Sequence, residues 1–175
     1  CIISSCEQLI YKFLITHDIL KRNTSVLPIF GTEYARVMNI VFSSMSGAVE
    51  VFSISTGSWS TVAPMPAPRA YHGAAASGGY ILCVGGDSGV GREAGNSLDI
   101  FTIEDGTWAR GATMPNLRNY LAVASASGQV VAMGDGFGSL GSESPAVDAY
   151  DVQAGVLSAL QPIPTGRSRL AAGVL

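Results

Sequence analysis

A repeat of 49 residues begins near residue 47 and runs through the rest of this 175-residue chain. Several residue types keep the same step, which a chance match of one pair would not explain. The matching sets are Phe52, Phe101 and Tyr150; Gly57, Gly106 and Gly155; Trp59 and Trp108; Met65, Met114 and Ile163; Pro66, Pro115 and Pro164; Arg69, Arg118 and Arg167; Gly85 and Gly134. A repeat of this length is typical of folds in which each unit buries its apolar faces against neighbouring units.

Each unit contains four short strand predictions, which in the best unit cover residues 71–76, 80–84 and 98–103 and a fourth that starts at Thr107. Four strands in a unit of this length indicate one blade of a β-propeller. By this count the chain holds half a blade (49–62), two full blades (71–112 and 120–160) and one further strand (169–175). We predict that Trp59 and Trp108 fill the gaps between adjacent sheets, where they are buried.

The repeat residues resemble those of the kelch repeat family, whose fold is shared with the central domain of galactose oxidase. The segments that carry the resemblance are Val84-Gly85-Gly86, Ser97-Leu98-Asp99-Ile100-Phe101, Gly106-Thr107-Trp108, Met114-Pro115 with Arg118, and in the preceding unit Val49-Glu50-Val51-Phe52, Gly57-Ser58-Trp59, Met65-Pro66 and Arg69. The last unit departs from the pattern at Asp135 and Leu157. The resemblance implies an all-β fold, a partial kelch β-propeller of about two full four-stranded antiparallel blades with partial blades at each end.

Residues 1–46 differ in composition from the repeats, since they hold one glycine and one alanine. We leave this segment unassigned and expect residues 1 to about 35 to be poorly integrated. The segment is read as a packed extension, a foreign segment or the eroded end of a preceding repeat, and residues 37–42 read as a strand. The propeller fragment is predicted to span residues 47–175.

Composition and charge restrict the function classes. The net charge of −3 gives no reason to expect a nucleic-acid partner, and no apolar run is long enough to predict a membrane span. Cys1, Cys6 and Cys83 form neither a disulfide framework nor a zinc-binding pattern. The cellular compartment stays open.

Strand parity predicts which end of the blades carries function. In an antiparallel blade, the connection between the second and third strands lies at the same end as the connection between blades. That end carries the long loops 87–96 and 135–145, and long loops on a rigid scaffold often bind ligands. The partner-binding residues predicted here are Asp87, Arg92, Glu93, Asp135, Phe137 and Glu143. Arg92 and Phe137 are the main candidates.

Other recurring residues are interpreted as structural. Arg69, Arg118 and Arg167 are read as hydrogen-bond donors that tie one blade to the next, with partner binding as the alternative. The remaining structural repeat residues are Gly85, Gly86, Gly134, Trp59, Trp108, Phe52, Phe101 and Tyr150.

Catalytic patterns are weak in this sequence. Residues 86–89 resemble a serine-protease nucleophile segment, but a triad needs a histidine base, and the histidines are His17, outside the repeats, and His72, in a predicted strand. Residues 136–141 match a dinucleotide fingerprint in letters, but a strand rather than a helix is expected after them. We therefore predict no catalytic residues, no metal and no cofactor.

These observations favour a non-catalytic kelch-repeat module for protein–protein interaction, a fragment of a larger propeller with an unknown protein partner. The alternative is part of a copper oxidase similar to galactose oxidase, or of a sugar-converting propeller enzyme. A copper site needs several imidazole and phenolate ligands, and the repeats contain only His72.

Overall fold

The structure is a computed structural model that describes the backbone of residues 24–29 and 36–41, and residues 47–53, 56–87, 95–135 and 143–174 in full. Within these ranges the chain forms twelve strands and no helix. The strands make three four-stranded antiparallel sheets, each built from four strands that are consecutive in the sequence. The predicted all-β architecture of four-stranded blades is confirmed.

Each sheet is one blade, and its strands pair in sequence order. Blade 1 contains β1 (Thr24–Ile29), β2 (Arg36–Val41), β3 (Val49–Ser53) and β4 (Ser58–Thr61). Blade 2 contains β5 (Gly73–Ser77), β6 (Tyr80–Val84), β7 (Leu98–Thr102) and β8 (Thr107–Arg110). Blade 3 contains β9 (Ala122–Ala126), β10 (Gln129–Met133), β11 (Val147–Asp151) and β12 (Val156–Leu160). The first strands contact one another, β5 with β1 and with β9, so they form the inner side of the arc.

The turns between third and fourth strands explain one set of repeated glycines. Gly57, Gly106 and Gly155 have φ values of 65°, 66° and 69°, a left-handed conformation that glycine adopts without a steric cost. The Gly106 N–H donates to the carbonyl of Thr102 at 2.9 Å, and the two equivalent glycines make the same bond in their own turns. The repeated glycine thus closes a tight turn at the same place in every blade.

The core lies between the blades rather than inside any one sheet. The junction of blades 1 and 2 buries Val49, Val51, Met65, Ala74, Ile81, Cys83 and Phe101. The junction of blades 2 and 3 buries Ala75, Leu82, Val84, Leu98, Met114, Leu121, Val130, Ala132 and Tyr150. Alternate residues of β6 enter different junctions, since side chains along a strand point to opposite faces of the sheet. Blade 2 is therefore packed on both faces.

The two tryptophans are not buried alike, which corrects one prediction. Trp108 is partly buried and packs against the junction of blades 1 and 2. Trp59 makes the same contact within its blade, but 40% of it is exposed, so the prediction that Trp59 is buried is wrong for this chain. The reason is position: Trp59 lies on the face of blade 1 that is turned away from blade 2. In blade 3 the equivalent Leu157 packs against the second junction.

The blade count also differs from the prediction at both ends. Blade 1 is a complete four-stranded sheet rather than half a blade, because β1 and β2 pair with β3. The predicted strand at 37–42 corresponds to β2, and the sheet begins before the predicted boundary at residue 46. At the other end, residues 170–174 form no strand, although one was predicted there. Residues 1–23, which were expected to be poorly integrated, lie outside the described residues.

Candidate functional site: the loop end of the blades

The strand directions bring the longer connections to one end of the arc. The connections from β6 to β7 and from β10 to β11 lie there, together with the inter-blade segments that follow β4, β8 and β12. We call this end the loop end. The opposite end carries tight turns such as the one at 78–79. The candidate residues named from the sequence belong to connections of the loop end.

Arg69 is buried at the loop end and bonds to the blade that follows it. Its guanidinium makes an ion pair with Asp99 of β7, and its Nη1 donates to the Gly85 carbonyl at 3.1 Å and to Ser97. Burial, the larger cause, lowers the pKa of Arg69, while the Asp99 carboxylate opposes that shift. An arginine remains charged under these conditions, so the pair is ionic.

Arg118 repeats this arrangement one blade further along. It forms an ion pair with Asp148 of β11, and its Nη1 donates to the carbonyl of Ala146 at 2.8 Å. In both blades the aspartate lies 30 residues after the arginine. Both arginines therefore act inside the fold, where each ties an inter-blade segment to the blade that follows. Arg167 occupies the same position after blade 3, is exposed, and donates to the carbonyl of Thr165 at 3.3 Å.

Two of the predicted partner-binding residues are buried, which corrects their assignment to an exposed surface. Asp87 exchanges backbone hydrogen bonds with Ala70, at 2.9 Å and 2.7 Å. Asp135 accepts a hydrogen bond at its Oδ1 from the backbone N–H of Asn119 at 3.1 Å. Both residues hold the inter-blade segment against the strand that ends beside it. Their position just after a strand suggested a loop, but they are the last fixed residues before that loop.

The other predicted partner-binding residues divide into one that is described and three that are not. Glu143 is exposed, and its Oε1 accepts a hydrogen bond from the Ser168 hydroxyl at 2.8 Å. That bond joins the β10–β11 connection to the segment that follows blade 3. Arg92, Glu93 and Phe137 lie outside the described residues, so their assignment stays a prediction.

A stack of side chains at the loop end was missed in the sequence. Tyr71, Tyr120 and Arg169 occupy one register position of the repeat and have φ values of 57°, 53° and 51°. The two tyrosine rings stack with centroids 4.3 Å apart, and the Arg169 guanidinium lies 4.6 Å from the Tyr120 ring centroid. Backbone hydrogen bonds run beside the stack, from Tyr120 N–H to Tyr71 at 3.0 Å and from Arg169 N–H to Tyr120 at 2.8 Å. The 49-residue step of these three positions was the available signal.

Left-handed backbone at non-glycine residues costs about 1–3 kcal/mol each and is kept only where the surroundings impose it. Tyr71 and Tyr120 are partly buried and Arg169 is exposed, so the stack forms part of the surface. It combines aromatic faces with a cation on a rigid backbone ladder. These are the residue types that dominate binding energy in protein interfaces.

His72 and Cys83 are buried groups close to the blade junctions. Burial first, and the charge of Arg69 second, lower the pKa of His72 to about 3, so its imidazole is neutral at physiological pH. Burial raises the pKa of the Cys83 thiol to about 12, which leaves it protonated. Among the described residues, no three His, Cys, Asp or Glu side chains are grouped so that they could hold a metal ion.

A shallow cavity of about 450 Å³ opens on the inner side of the arc, toward the end with the tight turns. It is lined by β5, β9 and residues 172–174, the first strands of two blades and the segment equivalent to them. Most of its side chains are alanine, serine or valine. The cavity presents backbone and small side chains but no charged group.

Comparison with known proteins agrees with this geometry. The fold defines a class, the β-propeller with blades of four antiparallel strands. Residues 68–115, which run from the segment before β5 to the one after β8, match the model of the kelch motif. The chain therefore carries a kelch repeat, and its blades are part of a kelch-type propeller, as the resemblance implied.

A solved structure of the same fold is "Structure of YjhT", a kelch-type propeller protein. It matches with a TM-score of 0.68 and 12% sequence identity, over 83% of this chain and 53% of the other. The chain thus spans about half the length of that structure, and the likeness concerns the fold alone. No sequence among the curated proteins matches this chain. In the part of the chain that the structure describes, no helix could cross a membrane.

Proposed function

We propose that this chain is a kelch-repeat module for protein–protein interaction, within a propeller that has more blades than the three found here. The observation that carries the proposal is the stack of Tyr71, Tyr120 and Arg169 at the loop end. It offers two aromatic faces and an exposed cation, held in place by backbone hydrogen bonds. Rigid aromatic and arginine side chains are the usual anchors of a protein interface.

Charge supports a protein partner that is selected by complementarity. The exposed Glu143 lies in the β10–β11 connection and bonds to Ser168, the neighbour of Arg169 in the sequence. Acidic and basic groups therefore occur side by side at the loop end. A mixed surface of this kind favours specific pairing with a complementary surface over binding to a polyanion. The loops that carry Arg92, Glu93 and Phe137 extend from the same end, and we retain these residues in the proposed surface.

We further propose that the chain has no catalytic centre of its own. His72 is 1% exposed and neutral, so it is poorly placed to exchange protons with a substrate. Cys83 is buried and protonated, and a protonated thiol is a weak nucleophile. Stoichiometric copper in the purified protein, with alcohol oxidation that depends on His72, would overturn this part of the proposal.

The binding proposal is tested by affinity capture with quantitative mass spectrometry of the bound proteins. The variants are Arg92→Ala combined with Phe137→Ala, and Arg169→Glu. The control is Glu104→Arg, which reverses an exposed charge in a tight turn at the opposite end. We expect a protein that binds the wild type and the control equally and is reduced at least about tenfold by the loop-end variants. Equal capture by all variants would remove the loop end from the binding surface.

A further inference from the structure

The two outer faces of the three-blade arc differ from the two inner junctions, and residues in the same register position show the difference. Met65 and Met114 are 2% and 1% exposed, because each is enclosed between two blades. Ile163 holds the same position after blade 3 and is partly exposed. Val131 and Met133 in β10 are also partly exposed, whereas Leu82 and Val84, their equivalents in β6, are buried in the second junction.

Arg167 shows that this outer face of blade 3 has the groups needed to receive another blade. Arg69 and Arg118 each bind a carboxylate in the third strand of the blade that follows them. Arg167 lies in the segment that leaves blade 3 and is exposed. By the same geometry, its guanidinium is placed to meet a carboxylate in the third strand of a following blade.

The outer face of blade 1 carries the complementary groups. Glu50 lies in β3, the third strand, at the register position of Asp99 and Asp148, and it is exposed. Trp59 contacts Phe52 with ring centroids 5.2 Å apart, as Trp108 contacts Phe101 at 5.1 Å. Trp59 is thus positioned in blade 1 as Trp108 is in blade 2.

Trp108 shows what Trp59 would bind. The indole N–H of Trp108 donates to the carbonyl of Ala63, in the segment that leaves the preceding blade. Two repeats of 49 residues after Ala63 stands Gln161, in the segment that leaves blade 3. A blade 1 packed behind blade 3 would therefore bring Trp59 to the carbonyl of Gln161, and Glu50 to Arg167.

We propose that two copies of this chain associate head to tail, with blade 1 of each copy packed on blade 3 of the other. Two identical junctions then form, each with a Glu50–Arg167 ion pair and a hydrogen bond from Trp59 to Gln161. The apolar surface of Ile163, Val131 and Met133 is covered at the same time. The complementary charges and the repeated register both specify this occupant.

Closure of the ring limits the assembly to two copies. The chain contains three blades and spans 53% of the propeller to which it is similar. Two copies supply six blades, which falls within the range of about four to eight found in closed propellers. A closed ring with a twofold axis has no open blade faces left to add a third copy. This inference goes beyond the proposed function, since it concerns the blade faces and not the loop end.

The test is a charge swap measured by size-exclusion chromatography with light scattering on the full 175-residue chain. The mass of one chain is 18.1 kDa, and we expect twice that mass for the wild type at micromolar concentration. Arg167→Glu places two carboxylates together at both junctions, and Glu50→Arg places two cations there. Each variant alone should raise the dimer dissociation constant at least about 100-fold. Glu104→Arg serves as the control and should leave the dimer unchanged.

Mixing the two single variants provides the decisive measurement. In a head-to-tail pair of one Arg167→Glu chain and one Glu50→Arg chain, both junctions regain opposite charges, so the mixture should return to the dimer mass. Recovery also shows that both variants are folded. A monomeric wild type, an assembly larger than a dimer, or a mixture that stays monomeric would each overturn the proposal. Loss of partner capture without loss of the dimer would instead count against the proposed function alone.

Discussion

Trp108 donates its indole N–H to the backbone carbonyl oxygen of Ala63 at 2.8 Å, and so joins the last strand of blade 2 to the segment that leaves blade 1. The ring of the same residue tilts at 54° against Phe101, which faces the first junction. One side chain thus connects two blades by a polar and an apolar contact. Trp59 makes the equivalent ring contact in blade 1 and is largely exposed, which makes the two tryptophans a natural pair for comparison.

The first prediction concerns this pair. Trp108→Phe should lower the free energy of unfolding by about 1 kcal/mol, because it keeps an aromatic ring and loses one hydrogen bond. Trp108→Ala should lower it by about 3 kcal/mol, through the lost apolar contacts. Urea denaturation measures both, in an Arg167→Glu background so that association does not contribute. Trp59→Phe is the control and should have little effect there; an equal loss at both sites would contradict the packing described here.

The second prediction concerns the buried ion pairs. Arg118→Met should cost about 3–5 kcal/mol of stability, since it leaves the buried Asp148 without its cation. Arg167→Met changes the equivalent but exposed arginine, and should alter the stability of the dilute chain by less than about 0.5 kcal/mol. Chemical denaturation of the two variants side by side measures the difference. If both changes cost the same, Arg118 would not be a structural donor.

The third prediction separates backbone strain from steric contact at two glycines with equal φ. Gly85 and Gly106 both have φ of +66°, so an alanine suffers the same strain of about 1–2 kcal/mol at either position. A Cβ at Gly106 meets nothing, whereas a Cβ at Gly85 would overlap the carbonyl oxygen of Arg118. Gly85→Ala should therefore be the more destabilising change, and should loosen the junction of blades 2 and 3.

Thermal denaturation of the two alanine variants, with hydrogen exchange in β9 and β10, provides the measurement. Faster exchange at that junction is expected for Gly85→Ala alone. Equal melting temperatures for Gly85→Ala and Gly106→Ala would show that the blades do not approach each other at Gly85.

The fourth prediction is a dependence of stability on pH. The pKa of His72 is lowered to about 3 in the folded chain from 6.5, so the unfolded chain binds one more proton between these values. The contribution of His72 to stability is then fully present above pH 6.5 and is lost as the pH falls toward 3, by roughly 1 kcal/mol per pH unit. The pKa of Cys83 is raised to about 12 from 9.0, so its contribution is lost as the pH rises above 9.

Two substitutions taken from the repeat itself test the assignment. His72→Leu introduces the residue found at the equivalent Leu121 and should reduce the loss of stability in acid. Cys83→Ala introduces the residue found at Ala132 and should reduce the loss in alkali. Denaturation curves recorded across the pH range supply the slopes. An unchanged acid slope in the His72 variant would assign the acid sensitivity to other groups.

Local patterns in the sequence were enough to predict blade 2 and most of blade 3. Strand β6 was expected at residues 80–84 and was found there, and β7 ends one residue before its predicted end. Glycines such as Gly106 mark the turns because their positive φ is a property of the residue itself. Such signals depend on neighbours in the chain, so one repeated sequence carries them fully.

The first two strands of blade 1 were harder to predict because their signal is not local. β1 keeps no residue of the repeat, and it forms a strand by pairing with β2, which in turn pairs with β3. Backbone hydrogen bonds are nearly independent of side-chain identity, so a strand can persist where the repeated sequence has been lost. The partner sheet, rather than the strand's own residues, decides the outcome.

The sequence by itself determined the period, the four-strand unit and the turns, because these follow from residues close together in the chain. Only the tertiary structure decided which repeated residues are buried. Arg118 and Arg167 have the same register position, yet one is enclosed by the next blade and the other is exposed. Trp108 and Trp59 differ in the same way. Burial depends on which surface packs against a residue, and a repeat cannot encode the absence of a neighbour at its outer faces.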